Sequence, residues 1–317
     1  MRKKIIPALA VAAAVLAAVL GGCSEVLDAE AHASGGLNVV ATIFPCYDFA
    51  RAVMGGGDSV TMLVRPGADI HSFELSMADA VKINGADVFI CIGGESEAWA
   101  ETVLGAVSAE GVTAVRLMDH ITAVYEELKE GMEGDGGEVG ELDEHIWTSP
   151  LNAIVMVNAV ADALCEADPP NAAFYRANAA AYTAELSELH GELKDAADRA
   201  ELKKLIIAGR FPFRYLTDEY GLDYRAAFPG CSVESDVSAS TLAYLIDEVR
   251  NENIPYVFFL ELENRSIADA ITKQTGAGAL PLHSCQNVSG GEFDSGATYL
   301  SLMRINAENL RKGLTAK

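Results

Sequence analysis

Three of the six histidines in this 317-residue chain sit at turn-like positions beside apolar segments, where an imidazole can be aimed at a metal ion. His71 stands in Pro66-Gly67-Ala68-Asp69-Ile70-His71-Ser72-Phe73-Glu74. A strand-like apolar run over 60–64 precedes it, and the Pro-Gly pair turns the chain and presents the imidazole with a carboxylate three residues on. His145 closes an acidic stretch in Asp143-Glu144-His145-Ile146-Trp147. Two carboxylates beside an imidazole can orient it and raise its basicity as a ligand. His283 follows a Gly-rich segment in Leu280-Pro281-Leu282-His283-Ser284. His32, His120 and His190 read as tether, loop and helix-surface residues. The chain carries no HExxH, GxSxG or Walker A lysine, so no competing catalytic motif claims these residues.

The elements that must position them alternate. Strands are expected over 37–44, 60–64, 87–92 and 113–117, with helices over 47–54 and 76–84, and from Trp99 to about 107. Ser76 is a natural N-cap for the second helix. The alternation resumes with strands over 205–208, 224–228 and 256–260 and helices over 211–220, 240–251, 266–275 and 295–314. Gly55-Gly56-Gly57 and Ser289-Gly290-Gly291 read as turns. Strand–helix alternation implies parallel, doubly wound sheets. Between the two halves lie a helix over 150–165 and a second over 171–199, broken from the first by Pro169-Pro170. The second, roughly 43 Å at 1.5 Å per residue, is long enough to span two lobes. The fold class expected is therefore α/β, two doubly wound lobes joined by one long rigid helix, and a site in the cleft between them would collect His71, His145 and His283. The boundaries run 1–22 (leader), 23–36 (tether), 37–168 (first lobe), 169–200 (linking helix) and 201–317 (second lobe). Residues 126–144 interrupt the first lobe with nine Asp or Glu, five Gly and one basic residue, the composition of a flexible acidic loop.

The N-terminus is a targeting segment. Arg2, Lys3 and Lys4 precede an apolar run over 5–20 that is short for a membrane span. Leu20-Gly21-Gly22-Cys23 resembles the lipobox of bacterial lipoproteins, which implies that Cys23 is lipidated and opens the mature chain outside the cytoplasmic membrane. Losing the three basic residues of the leader takes the formal net charge from −23 to −26. Such acidity excludes nucleic acid as the main partner and suits a cationic ligand. Cys46, Cys91 and Cys165 lie in or beside apolar stretches and read as buried thiols. Cys231 and Cys285 lie in loop-like sequence, and a Cys231–Cys285 disulfide is the expected pairing in an oxidising compartment.

The motif at 66–74, Asp143-Glu144-His145-Ile146-Trp147 and Thr298-Tyr299-Leu300-Ser301-Leu302-Met303-x-x-Asn306 together resemble the solute-binding lipoproteins of zinc and manganese ABC importers, over about residues 37–314. The resemblance implies two α/β lobes bridged by a rigid helix with the metal at their interface. His71 and His145 match the family's first two ligands, and the fourth position falls at or near His283. The third falls on Arg210, a departure, because a guanidinium has no lone pair to give a cation. Water, or a carboxylate such as Glu234 positioned by Arg210, would complete the site; a weakened or lost site is the other reading. A cysteine pair near these loops in some members supports the Cys231–Cys285 bridge. The implied role is capture of Zn2+, with Mn2+ as the alternative, for an ABC permease with its ATPase, by a lipid-anchored, extracytoplasmic monomer that is not an enzyme. Zinc comes first because imidazole dominates the donor set. Two readings from other classes stay open: a zinc-dependent hydrolase using an open three-histidine site, for which no general base is evident, and a surface adhesin with a structural metal.

Overall fold

Two four-stranded, all-parallel sheets organise the chain in a computed structural model. The residues described are 36–57, 59–109, 111–134, 140–232 and 236–315. Cys23, the leader, nearly all of the tether, Glu234 and the middle of the acidic stretch therefore lie outside them. His71 is described in its backbone only.

The first sheet has the order β2-β1-β3-β4, from β1 (Val39–Ala41), β2 (Val60–Met62), β3 (Val88–Cys91) and β4 (Thr113–Arg116). The second repeats that order as β6-β5-β7-β8, from β5 (Lys204–Phe211), β6 (Asp223–Pro229), β7 (Tyr256–Phe259) and β8 (Gly278–Pro281). Helices cover both faces, so the inner strands are buried throughout and read as unbroken apolar runs. The two-residue period of a strand sorts their side chains. Leu205 and Ile207 join a core continuous through both lobes, whereas Ile206 and Ala208 join an outer cluster under α7 (Ala239–Asn251) and α8 (Ser266–Thr275).

Among the described residues the remaining α-helices are α1 (Phe44–Met54), α2 (Met77–Asn84), α3 (Ala98–Ala109), α4 (Pro150–Ala167), α5 (Ala172–Asp198), α6 (Arg214–Tyr220), α9 (Gly290–Asp294) and α10 (Tyr299–Gly313). The linking helix α5 has 27 residues and packs against α1 and α4 on one side and α6 and α10 on the other, so it backs both lobes. Asp48, buried on α1, ties this junction together: its carboxylate accepts from Tyr182 Oη of α5 at 3.0 Å and from the Tyr299 N–H of α10 at 2.9 Å, and pairs with Arg51.

Several boundaries differ from expectation for local reasons. The helix after β1 starts at Phe44 rather than 47, because Pro45 occupies its first turn, where a missing N–H costs nothing. Strand β5 runs on to Phe211 by pairing Arg210 with Phe228 beyond a register shift, so Arg210 stands near the strand's carboxyl end and the next helix waits until Arg214. The Ser289-Gly290-Gly291 turn is the start of α9, capped by a reciprocal Ser289–Glu292 box. The expected Cys231–Cys285 disulfide is absent, both residues being free thiols. Cys285 adopts a left-handed φ of 60° that leaves it fully buried, while the Cys231 sulfur turns toward Glu144 Oε1, 3.3 Å away.

Candidate metal centre

The described candidate residues lie at or beyond the carboxyl end of a parallel strand or in a loop that returns there, the edge where open α/β sheets bind ligands. The two lobes present these edges to a common cleft. Gly67, Ala68 and Asp69 line it from one side, and Arg210, Glu261 and Glu263 from the other.

The motif at 66–74 begins as a tight turn. Ala68 N–H donates to Arg65 O at 3.0 Å, and Gly67 has φ +80°, the left-handed conformation that favours glycine. The second lobe staples this turn. Asn287 Nδ2 donates to Arg65 O and Ala68 O, each at 2.8 Å, and Gly67 N–H donates to Val288 O at 2.7 Å. The chain then makes the 3-10 turn Ile70–Ser72 that carries His71 at the cleft edge.

His145 is wholly buried, with 0% of its surface exposed. Asp143 Oδ1 accepts from its backbone N–H at 2.8 Å and faces its Nδ1 at 3.0 Å. A carboxylate can only accept, so Nδ1 carries the proton and Nε2 keeps its lone pair. That Nε2 is buried and has no hydrogen-bond partner. Burial pulls the His145 pKa down, but the charges of Asp143, Glu144 and Glu126 outweigh it and hold the pKa above the usual imidazole range. Next to it, Trp147 packs edge-on at 5.4 Å and donates its indole N–H to Ser284 O of the second lobe at 2.8 Å.

Among the described residues, one group of three or more metal-binding side chains converges: Glu126, His145 and Cys231, with ligand atoms within 4.8 Å of one another. The described part of the acidic stretch delivers Glu126 as an ordered strap. Tyr125 bridges Leu142, Glu133 N–H donates to Ala227 O at 2.8 Å, and Glu127 pairs with Arg214 at 2.9 Å. Cys231 N–H donates to Glu126 Oε1 at 2.9 Å. Burial pushes the Glu126 carboxyl up, and burial with the nearby carboxylates pushes the Cys231 thiol far up.

The structure does not bring His283 into this group. Its Nδ1 accepts the Cys285 N–H at 2.9 Å, and its backbone is clamped by Asn306, which accepts from His283 N–H and donates to His283 O, both at 2.7 Å. Glu261 lies 3.4 Å from Nδ1 and Glu292 3.7 Å from Nε2. Burial lowers the His283 pKa, but Glu261, Cys285 and Glu292 together carry it well above the ordinary range. Arg210 is engaged by Glu263 and Asp69: Nε donates to Glu263 Oε1 at 2.7 Å, and Nη1 meets Asp69 Oδ2 at 3.4 Å. Sequence reasoning missed Glu126, which it left inside an acidic run, and gave Cys231 to a disulfide. The Gly230 beside Cys231 was the usable signal, since it marks a close approach.

Two parallel α/β lobes on a shared helix, with a cleft between their strand ends, define a solute-binding architecture. Residues 39–313 match the family described as zinc-uptake complex component A, periplasmic (ZnuA), and the chain belongs to that family, whose members are transport proteins and not enzymes. It is 29% identical to the zinc-binding protein AdcA of Streptococcus pyogenes across 98% of this chain, and spans 61% of that relative's length. It is 28% identical to the high-affinity zinc uptake system protein ZnuA of Bacillus subtilis, covering 89% of this chain and 88% of that one. The Zn(II)-bound ZnuA-like domain of Streptococcus pneumoniae AdcA superposes with a TM-score of 0.75 at 28% identity, over 88% of this chain and 99% of that domain. The laminin-binding protein of Streptococcus agalactiae, described as having adhesin and metal-transporting activity, gives 0.75 at 28% identity, over 88% and 100%.

Proposed function

We propose that this protein captures a divalent transition metal outside the cytoplasmic membrane, zinc in first place and manganese as the alternative, and hands it to an ABC permease with its ATPase. Cys23 carries the lipid anchor in this reading. The observation that supports it most strongly is the His145 ring: buried, proton fixed on Nδ1 by Asp143, and Nε2 aimed at no protein partner. A carboxylate–histidine pair in this arrangement is how proteins hold imidazole for a metal. Relatives named for zinc binding support the choice of cargo. His71, carried to the cleft by the stapled turn, is the second ligand proposed from the first lobe. Glu234 and His283 are the other candidates; His283 Nδ1 accepts the Cys285 N–H, and its Nε2, like that of His145, is buried without a hydrogen-bond partner.

Calorimetric titration of the metal-free protein tests this. One equivalent of zinc is expected to bind, with affinity lowered more than about 100-fold in His145→Ala, since losing a ligand costs more than the roughly 10–100-fold of losing its outer partner. A wild-type protein that takes up neither zinc nor manganese would rule the reading out.

A further inference from the structure

The convergence of Glu126, His145 and Cys231 is not explained by the ligand set that the family resemblance implies, and Cys231 is free. Two independent features point to a ligand there. First, His145 Nε2 is fully buried and unpartnered. Second, the chain makes room for the approach: a Cβ built on Gly230 would fall 2.9 Å from His145 Cε1 and 3.0 Å from Glu126 Oε1, so only glycine lets the backbone leading to Cys231 lie against both. Zinc bonds of about 2.0–2.3 Å at tetrahedral angles set ligand atoms roughly 3.3–3.7 Å apart. Ligand atoms already within 4.8 Å of one another need only small side-chain adjustments.

We infer that the Cys231 thiolate and a Glu126 oxygen coordinate the same metal that His145 anchors, and so replace the ligand lost where the family position falls on Arg210. This rests on the metal-capture reading above and narrows its cargo to a thiophilic cation, zinc and not manganese, because thiolate selects soft metals. On binding, the S–H bond breaks, an S–Zn bond forms, and the proton leaves by way of Glu144 Oε1, 3.3 Å from the sulfur, to solvent. One thiolate and one carboxylate balance the dication. Arg210, tied to Glu263 and Asp69, does not compete for either anion.

The test is X-ray absorption at the zinc edge on the full chain loaded with one equivalent of zinc, alongside alkylation mapping of each cysteine with and without the metal. The expected result is one sulfur scatterer at about 2.3 Å and zinc-dependent protection of Cys231; in Cys231→Ser the sulfur is lost and affinity falls at least tenfold. Bound zinc with only nitrogen and oxygen scatterers overturns the thiolate site and leaves metal capture standing. Sulfur ligation with Cys231 unprotected overturns it as well. Uptake of manganese but not zinc overturns the thiolate site and leaves metal capture standing, and failure to bind either metal overturns both readings. The wild-type spectrum and the mapping decide the matter even if the variant does not fold.

Discussion

Asp143 shows how a residue that need not touch the metal can set its affinity. Its Oδ1 receives both the backbone N–H and the Nδ1 side of His145, so it fixes ring orientation and tautomer together. Asp143→Asn keeps the shape but offers an amide that can face the ring with either end. Zinc affinity in that variant is expected to fall 10–100-fold, measured by competitive titration. The pH dependence follows from the same contacts. Zinc needs the neutral ring, and the surrounding carboxylates hold the His145 pKa above the ordinary value near 6.5. Protons therefore begin to compete while the pH is still above 6.5, and affinity declines as pH is lowered toward and through that value. Removing the Asp143 charge moves the onset of that decline to lower pH, and an unmoved onset would show that Asp143 does not act through the ring.

At the scale of elements, the loops after the strands carry the chemistry and also strain the fold. Glu97, just before α3, is buried and accepts the N–H groups of Ile92 and Gly93 at 2.8 and 2.9 Å, satisfying the backbone beyond β3. Burial raises its pKa from 4.5 to about 7, against the pull of its hydrogen bonds. The folded state then keeps a proton that the unfolded chain releases between about pH 4.5 and 7. This group's contribution to stability accordingly falls as pH rises through that window, by roughly 3 kcal/mol in all. In Glu97→Gln the loss disappears, so denaturant unfolding should show the variant gaining on wild type from pH 4.5 to pH 8; a constant difference would count against it. Elements of this kind were legible to different degrees. The buried parallel strands announce themselves as apolar runs, and Ser76 caps α2 with a box completed by Asp79. By contrast, β8 has the sequence Gly-Ala-Leu-Pro, too short and too poor in β-branched residues to read as a strand. Helix α9 hides behind two glycines. His145 could be found because its neighbours in sequence are its partners in space. Glu126 and Cys231 lie 105 residues apart and meet only through tertiary structure.

Across the whole molecule the question is what the metal does to the two lobes. Glu126 and His145 precede the linking helix and Cys231 follows it, so a metal held by all three closes a bond between lobes that α5 already joins from behind. The Asn287 staple and the Trp147–Ser284 bond make the same crossing without metal, which keeps the cleft assembled before the cation arrives. Binding then adds stability by mass action, about 2.7 kcal/mol when free zinc is 100 times the Kd. At roughly 2–4 °C per kcal/mol for a domain of this size, thermal unfolding is expected to shift upward by roughly 5–10 °C. Hydrogen exchange should slow at the strap around Glu126 and at Gly230 together, since one ion restrains both. His145→Ala should lose most of the shift and the joint slowing. A shift of equal size in that variant would mean the zinc sits elsewhere, and slowing confined to one lobe would mean the ion does not bridge them.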